Sequence, residues 1–167
     1  MNITTRLIEA GDPEMISEAF QRQGWEKPEA LYHRYVEEQR NGERVTLIAE
    51  ADGEFAGYVN VIWSSSYPAF RENRIPEIND FNVLIKYRRR GIGSILLDEA
   101  EGRASERSGT VGIGVGLFAD YGPAQVMYVK RGYIPDGKGI YCHQQYVAED
   151  QTVVIDHDIA LYLTKKL

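Results

Sequence analysis

The sequence predicts a single domain of the α/β (α+β) class, with a mixed central sheet of about six to seven strands flanked by about four helices. Two observations carry this prediction. The chain has 167 residues, a length typical of one domain. Its local patterns follow the order strand, two helices, three strands, helix, strand, helix and terminal strands. No repeat, low-complexity tract or linker interrupts residues 1–167, so we expect one domain over the whole chain.

The first half of the chain alternates strand-forming runs with prolines that begin helices. The segment "NITTRLI" is rich in β-branched residues and predicts the first strand. Asp12 followed by Pro13 predicts a capped helix, and Pro28 begins a second one. The run "RVTLIAEADGEFAGYVNVIW" predicts a two-stranded hairpin around its Asp-Gly turn. The polar segment "SSSYPAFRENRIP", which holds two prolines, is predicted to be a loop.

The second half supplies the remaining strands and two further helices. The segment "EINDFNVLI" predicts a strand, and the glycines of "RRRGIGS" begin a helix that ends near Gly109. The run "TVGIGVGLF" predicts the next strand. Pro123 begins a helix that ends at Gly132. The segments "GYIP" and "TVVIDHDIALYLTKKL" are predicted to supply the last strands.

Composition excludes several classes of protein. A formal net charge of −6 at pH 7 argues against a general nucleic-acid binder, which is usually strongly basic. The single cysteine, Cys142, excludes an intrachain disulfide and suits a reducing compartment. No signal-peptide pattern is visible in "MNITTRLIEA", and no apolar run approaches the ~18 residues of a membrane span. We therefore expect a cytoplasmic protein without nucleic-acid or membrane partners.

The segment "KYRRRGIGSILL" concentrates positive charge beside two glycines at the start of a helix. Backbone N–H groups at a helix start lack partners within the helix and lie at the positive end of its dipole. Glycine lets a phosphate approach that backbone, and arginine adds charge-assisted hydrogen bonds. The spacing Gly91-x-Gly93 matches neither a Walker loop nor the full dinucleotide fingerprint. From these residues alone, a phosphate site and an ordinary turn with solvated arginines both stay open.

The wider segment "EINDFNVLIKYRRRGIGSILL" resembles the acyl-CoA-binding motif of the GNAT superfamily of N-acyltransferases. That motif is a strand with a valine near its end, followed by Arg/Gln-x-x-Gly-x-Gly/Ala at the start of a long helix. Val83, Arg88, Gly91 and Gly93 occupy those places here. Ile85 stands where many members have proline, and this departure leaves the motif intact.

A second segment, "YGPAQVMYVKRGYIPDG", resembles the helix Asn-x-x-Ala-x-x-x-Tyr-x-x-x-Gly-Phe of the same family. Ala124, Tyr128, Gly132 and Tyr133 match its pattern, and the two motifs lie in family order. Tyr121 replaces the asparagine, whose side chain contacts the pantetheine arm in the family.

The resemblance implies a GNAT-like fold and an N-acetyltransferase that moves an acetyl group from acetyl-CoA directly to a primary amine. In the family, the glycine turn holds the pyrophosphate of coenzyme A, and the strand near the valine pairs with the pantetheine arm. The cofactor-binding residues so implied are Phe81, Asn82, Val83, Arg88, Arg89, Arg90, Gly91, Ile92, Gly93 and Ser94. No metal is expected, because His33, His143 and His157 lack metal-ligand spacing.

Tyr128 is the candidate general acid. In the family, the tyrosine at this place directs its hydroxyl at the thioester sulfur and protonates the leaving thiolate. A phenol with an ordinary pKa near 10 is protonated at neutral pH and can donate. The alternative is a core tyrosine, since Ala124, Met127 and Tyr128 share one helical face. Polarisation of the thioester carbonyl is assigned to backbone N–H groups around Phe81 and Asn82.

The group that accepts the proton of the amine stays open at this point. Where the family uses a side-chain base on this strand, a glutamate often lies six residues before the valine, and Glu77 stands there. Strand alternation is expected to place Glu77, Asn79, Phe81 and Val83 on one face and Asp80 on the other. Asp80 is the rival base, and a bound water that relays the proton to solvent is the third option.

The identity of the acceptor is also open. A small-molecule amine is the first choice, an amine of a protein or peptide is the second, and a non-catalytic acyl-CoA-binding module is the third. The aromatic residues Trp25, Tyr67 and Phe70 either wall the acceptor cleft or pack under their loops. Cys142 and His143 are adjacent in an extended segment, so we expect their side chains to point apart. A homodimer is one option for the oligomeric state.

Overall fold

The computed structural model describes residues 1–167 and contains one mixed sheet with the strand order β1-β2-β3-β4-β5-β8-β6-β7. Only β4 and β5 run parallel, and every other neighbouring pair is antiparallel. The strands are β1 (Ile3–Leu7), β2 (Arg44–Ala51), β3 (Glu54–Ile62), β4 (Glu77–Val83), β5 (Thr110–Gly116), β6 (Ile134–Cys142), β7 (Gln145–Tyr146) and β8 (Ala160–Lys166).

Five helices accompany the sheet. They are α1 (Asp12–Arg22), α2 (Glu29–Arg40), α3 (Pro68–Glu72), α4 (Ile92–Ser105) and α5 (Gly122–Lys130). The predicted class is therefore confirmed, with one or two more strands and one more helix than the sequence indicated. The additional elements are the short helix α3 and the two-residue strand β7.

The helices bury a separate core on each face of the sheet. On one face, α4 places Ile92, Leu96 and Ala100 against the central strands, and α5 adds Tyr128. On the other face, α1 and α2 cover β2 and β3 with residues such as Phe20 and Tyr32. Because the two helix pairs stand on opposite faces, β4 has the apolar core under α4 on one side and polar contacts from α2 and the segment before it on the other.

The β2–β3 hairpin forms at the predicted turn. Asp52 and Gly53 both have positive φ angles, 52° and 82°, which is the backbone of the tight turns that match strand twist. Ala51 and Glu54 are paired directly beside the turn. The Asp-Gly pair was sufficient to predict this turn because the turn conformation depends on these two residues alone.

The segment predicted to be a loop holds helix α3 instead. Tyr67 and Phe70 are almost fully buried, and the ring of Phe70 covers Gly112 so closely that a Cβ there would lie 2.1 Å from Cε2. The prediction was wrong because this five-residue helix depends on burial against β5 and not on its own periodicity. The face of β5 that it covers carries glycines at 112, 114 and 116, which leave room for aromatic rings.

The start of α1 also differs from the prediction. Gly11 is the residue that caps the helix, and Asp12 is its first helical residue. The carboxylate of Asp12 accepts hydrogen bonds from Arg6 at 2.7 and 2.8 Å and from the N–H of Glu9 at 2.7 Å. It therefore ties the helix start to β1, while acidic charge still complements the positive end of the helix dipole.

A buried carboxylate fixes α4 to the elements beside it. Glu101 accepts hydrogen bonds from Arg131, which follows α5, from Tyr133, and from Lys165 in β8. Burial opposes its ionisation, but these donors hold the pKa of Glu101 below its ordinary value. The pairing keeps α4 and α5 in a fixed relation. No helix has the length and apolar character needed to cross a membrane.

Candidate active site

Strand β4 carries a β-bulge at its centre. Tyr58 of β3 pairs with Asn82, whereas Asn60 pairs with Asn79, so Val59 faces two residues of β4. One of those two, Asp80, has a φ of 43°, in the left-handed region that non-glycine residues seldom occupy. A bulge of this kind inserts one residue into a strand and re-aims the side chains beyond it.

The bulge overturns the predicted alternation along β4. The sequence predicted that Glu77, Asn79, Phe81 and Val83 would share one face. Phe81 and Val83 instead pack with Ile78 in the core under α4. Glu77 and Asp80 face the other side, toward Ser65 and Tyr35 respectively. The prediction was wrong because it assumed an uninterrupted period of two.

From Asn79 onward, β4 no longer pairs with β5. Their parallel pairing comprises only Glu77 with Gly112 and Ile78 with Ile113. The N–H of Leu84 donates to the carbonyl oxygen of Ala56 at 2.9 Å, so the backbone groups of Phe81 and Val83 point the other way, toward β5. The strand thus presents the N–H groups of Phe81 and Val83 and the oxygen of Phe81 at the separation, where an extended amide-bearing chain can pair with them. The oxygen of Val83 accepts from Arg88.

The same alternation directs the N–H of Asn82 toward Tyr58 in β3, with which it is paired. Of the two backbone groups predicted to polarise a carbonyl, only that of Phe81 faces the separation. The side chain of Asn82 has a different partner, since its amide nitrogen donates to Asp80 Oδ1 at 2.9 Å.

The start of α4 follows directly from this open edge. Gly91 is its capping residue, with a φ of 84°, and no side chain caps the helix. The N–H of Ile95 is the first to bond within the helix, at 3.1 Å from the oxygen of Gly91. The N–H groups before it remain open, so the turn has the electrostatics of an anion site. A Cβ at Gly93 would lie 3.1 Å from Phe81 Cζ, which keeps helix and strand in close contact.

The three arginines before the turn are exposed, and they are not equivalent. Arg88 donates through Nε to the oxygen of Val83 at 3.2 Å, and its guanidinium lies 5.3 Å from the ring centre of Trp25. Arg90 lies 6.0 Å from the ring of Tyr87. Arg89 has a φ of 59°. Arg88 is therefore held against the strand, and Arg89 and Arg90 carry charge at the surface.

Tyr128 combines burial with an available hydroxyl. Its side chain lies in the core, with the ring centre 5.9 Å from that of Tyr133. Burial, with a smaller contribution from Tyr121, raises the pKa of Tyr128 well above its ordinary value. The hydroxyl is consequently protonated at neutral pH. The two interpretations of this residue, packing and proton donation, are compatible in this position.

Glu77 is a buried carboxylate at the start of β4. It is 6% exposed and accepts a hydrogen bond from the hydroxyl of Ser65. Burial raises the pKa of Glu77, and the bond from Ser65 opposes this shift only in part. Asp80 of the bulge lies three positions further along β4, about 10 Å along an extended strand. A carboxylate at that separation needs a water to exchange a proton with a group beside Phe81.

Asp80 has the opposite electrostatics. Its carboxylate accepts from Lys27 Nζ at 3.0 Å, from Tyr35 at 2.7 Å and from Tyr58 at 2.5 Å, besides the amide of Asn82. Burial acts to raise its pKa, but Lys27 and the two phenols hold the pKa of Asp80 below its ordinary value. An ionised carboxylate with four donors is a poor proton acceptor, and this geometry argues against Asp80 as the base.

Cys142 and His143 face each other, contrary to expectation. His143 has a φ of 47° in the turn between β6 and β7, which brings its Nδ1 to 3.0 Å from Cys142 Sγ. Its Nε2 lies 3.2 Å from Asp156 and 3.4 Å from Asp158. Burial and the two carboxylates raise the pKa of the thiol, which lowers its reactivity. The possible metal-ligand atoms of Cys142, His143 and Asp156 lie within 4.8 Å of one another.

Of the aromatic residues Trp25, Tyr67 and Phe70, for which a cleft wall and packing were both open, Tyr67 and Phe70 are core residues. Tyr67 stacks on Tyr162 with ring centres 3.7 Å apart, and Phe70 packs edge-on against the same ring. Trp25 is half-buried and stacks on Phe20 beside Arg88. Tyr121, which replaces the family's asparagine, covers Gly116 and bonds His157 at 2.8 Å. Alternating glycines in "TVGIGVG" were the sequence signal for this aromatic packing.

Comparison with known protein families matches most of the chain, including the residues of the candidate site. Residues 13–133 match the model of the acetyltransferase (GNAT) family, a range that includes the bulge, the α4 turn and Tyr128. No curated protein matches the chain by sequence.

Solved structures of acetyltransferases share the fold across their whole length. A ribosomal-protein-alanine N-acetyltransferase from Brucella melitensis superposes with a TM-score of 0.71 at 18% identity, covering 98% of this chain and 99% of that one. The Salmonella typhimurium protein yncA, solved with its cofactor acetyl-CoA, gives 0.70 at 14% identity, covering 98% and 93%. A chimera of the spermidine N-acetyltransferase SpeG from Vibrio cholerae and hSSAT gives 0.70 at 15% identity, covering 99% and 96%.

Proposed function

Because the chain belongs to the acetyltransferase (GNAT) family, we propose that it transfers an acetyl group from acetyl-CoA directly to the primary amine of a small molecule. One observation carries the proposal. The open backbone edge of Phe81 and Val83 leads, within one stretch of chain, to the uncapped start of α4. An extended amide chain that ends in a pyrophosphate, as in coenzyme A, matches these two features in order.

The binding mode follows from the chemistry of each part. The pyrophosphate accepts hydrogen bonds from the N–H groups of residues 91–94, where the helix dipole favours negative charge. Arg89 and Arg90 add charge attraction from the surface. The amides of the pantetheine arm pair with the oxygen of Phe81 and the N–H of Val83, as a short strand would, and the N–H of Phe81 is left for the acetyl group. The acetyl group then reaches the bulge.

Acetyl transfer needs a polarised carbonyl and a protonated leaving group. The N–H of Phe81 faces the separation between β4 and β5 and donates to the thioester oxygen as negative charge develops there. The amine attacks the carbonyl carbon, the carbon–sulfur bond breaks, and the electron pair goes to sulfur. Tyr128 gives its proton to that sulfur, since burial keeps its hydroxyl protonated.

The attacking amine must also lose a proton. We propose that Glu77 accepts this proton through an intervening water, because burial raises the pKa of its carboxylate toward the working pH. The lowered pKa of Asp80 and its four donors argue against this carboxylate as the base. Direct release of the proton to solvent through water is the competing route, and a pH profile distinguishes the two.

Two further candidates for the function remain to be tested against this one. A protein or peptide amine is the alternative acceptor, and the likeness to a ribosomal-protein-alanine N-acetyltransferase is its support. The likeness to a spermidine N-acetyltransferase chimera supports a small cationic amine, as does the net charge of −6. A non-catalytic acyl-CoA-binding module is disfavoured by the protonated hydroxyl of Tyr128 in the family's donor position.

The test is release of free thiol from acetyl-CoA, measured with a panel of small amines and short peptides. We expect steady turnover with at least one small primary amine and an acetylated amine as the product. Turnover with peptides alone would show that the acceptor is a protein or peptide amine and not a small molecule. Tight binding of acetyl-CoA without turnover on any amine would identify a binding module and overturn the proposed reaction.

A further inference from the structure

We propose that Asp80 is a positioning residue that locks the β4 bulge, so that the N–H of Phe81 faces the thioester carbonyl. The inference rests on the proposed function and deepens it, because it explains how a backbone group without a side-chain signature is held in place. It also assigns a role to a carboxylate whose lowered pKa makes it unsuitable as the base.

The backbone of Asp80 has the conformation that forms the bulge. Its φ of 43° is what allows one residue of β3, Val59, to face two residues of β4. Aspartate and asparagine tolerate the left-handed region better than other residues that carry a side chain. This conformation persists only where the surroundings hold it, since a relaxed strand would return to a period of two.

The surroundings hold the side chain from several independent elements. Lys27 reaches Oδ1 from the segment between α1 and α2, and Tyr35 reaches Oδ2 from α2. Tyr58 reaches Oδ2 from the facing strand β3. Asn82, two residues along β4, donates to Oδ1 at 2.9 Å. The bulge therefore cannot straighten without breaking hydrogen bonds to the segment between α1 and α2, to α2 and to β3 at once.

The donors are themselves fixed. The Tyr58 side chain is fully buried, and Tyr35 is 5% exposed. The rings of Tyr32 and Tyr58 meet edge to face at 5.5 Å, and Lys27 Nζ lies 5.5 Å from the ring centre of Tyr58. Two of the four donors thus sit on rings with little freedom to follow a moving carboxylate.

The consequence for catalysis concerns Phe81, the next residue after Asp80. A hydrogen-bond donor that is already in place when charge develops on the carbonyl oxygen needs no reorganisation at that moment. Asp80 never touches the reacting atoms in this account. It acts through the backbone of Phe81, and it ties that backbone to the side of the sheet that α1 and α2 cover.

The experiment uses two substitutions that keep the left-handed backbone. Asp80→Asn preserves shape but replaces a charged acceptor with an amide, and Asp80→Gly removes the side chain where glycine suits the φ angle. Asp12→Asn is the matched control, because Asp12 is 7% exposed, is paired with Arg6 at 2.7 Å and lies outside the site. Each protein is assayed for kcat, for coenzyme A affinity by calorimetry, and for the amide shift of Phe81.

Loss of one oxyanion donor typically costs about 10²–10³ in kcat, so a displaced donor should cost about 10–100-fold in both Asp80 variants. Coenzyme A affinity should fall much less than kcat, by no more than about fivefold, because the α4 turn that holds the pyrophosphate is untouched and only the pairing at Phe81 is disturbed. In the wild type, the NMR chemical shift of the Phe81 amide should differ between the coenzyme A and acetyl-CoA complexes. This difference should vanish in the Asp80 variants. Asp12→Asn should keep both kcat and the shift difference.

The outcomes separate this inference from the proposed function. A wild type that shows the Phe81 shift difference but acetylates no amine would defeat the reaction and leave the lock standing. Asp80 variants that keep kcat and the shift difference would overturn the lock while the reaction stands. A wild type without any shift difference at Phe81 would also overturn the lock, since the N–H would not face the acetyl group.

Discussion

At the scale of single residues, Tyr128 carries the most specific chemical claim. Tyr128→Phe keeps the ring and its packing against Tyr133 and removes only the hydroxyl. General acid catalysis contributes roughly 10²–10⁴-fold, so we expect kcat and kcat/KM to fall together by about 10²-fold, with water as a partial substitute. Steady-state kinetics and calorimetry with acetyl-CoA measure the two properties separately.

A matched control comes from the neighbouring ring. Tyr133→Phe removes a hydroxyl that bonds Glu101 at 3.0 Å, away from the reacting atoms. It should lower the thermal midpoint and leave kcat nearly unchanged. If Tyr128→Phe behaves in the same way when chemistry limits the rate, Tyr128 is a packing residue.

Glu77 makes a prediction about pH. Burial raises the pKa of its carboxylate, so the group is protonated at low pH and becomes a proton acceptor only as pH rises through that value. We expect kcat/KM to rise with pH through one step that Glu77→Gln removes, with a large fall in rate. Ser65→Ala, which removes the opposing hydrogen bond, should move the step to higher pH.

An unchanged pH profile in Glu77→Gln would assign the step to ionisation of the amine itself. The proton would then leave through water to solvent, as in the competing route. The same measurement on Asp80→Asn should show no loss of a step near neutral pH, since the pKa of Asp80 is already below its ordinary value.

At the scale of elements, the α4 turn can be tested with substitutions that its backbone accepts. Gly91 has a φ of 84°, so a β-branched residue would strain the turn even without cofactor. No protein atom lies within 4 Å of a Cβ at Gly91, which leaves room for a new side chain there. Aspartate and asparagine tolerate this φ angle and differ chiefly in charge.

We therefore expect Gly91→Asp to weaken coenzyme A binding by about tenfold or more, and Gly91→Asn to weaken it much less. The thermal midpoints of the two apo proteins should be similar. Calorimetry and thermal unfolding measure both quantities. Equal affinities for the two variants would place the pyrophosphate away from this turn.

The arginines before the turn make a separate prediction about salt. Arg89 and Arg90 are exposed, so their attraction for phosphate is screened within a Debye length of about 10 Å at 0.1 M salt. The double substitution Arg89→Gln and Arg90→Gln should weaken coenzyme A binding strongly at low salt and little at high salt. A loss of affinity that is independent of salt would mean that these side chains shape the turn and do not act through charge.

Elements differ in how far the sequence could predict them. The Asp52-Gly53 hairpin and the start of α4 depend on local backbone preferences, and both were predicted where they lie. The bulge in β4 was missed because it depends on donors such as Lys27 and Tyr35, which lie 53 and 45 residues away in the chain. The contact of His143 with Asp156 and Asp158 was missed because it depends on how the segment between β7 and β8 folds back on the turn before β7.

At the scale of the whole molecule, the mixed sheet opens between the parallel strands β4 and β5. This opening can bring together two motifs that are separate in the sequence, the start of α4 and the α5 helix with Tyr128. A Cβ at Gly93 would lie 3.1 Å from Phe81 Cζ and 3.9 Å from Met127 Sδ, so the bulge of β4, the start of α4 and the residue before Tyr128 lie close together. The fold class followed from the order of elements, because that order restricts the topology strongly. The orientation of side chains along β4 did not, because one inserted residue reverses it.

The central claim is that acetyl-CoA lies in the separation of β4 and β5, with its pyrophosphate at the start of α4. A crystal structure of the wild-type protein with acetyl-CoA tests this claim most directly. We expect the pyrophosphate within hydrogen-bond distance of the N–H groups of residues 91–94, the acetyl oxygen facing the N–H of Phe81, and the sulfur beside the hydroxyl of Tyr128. A cofactor bound elsewhere, or one whose acetyl group points away from Phe81 and Tyr128, would contradict it.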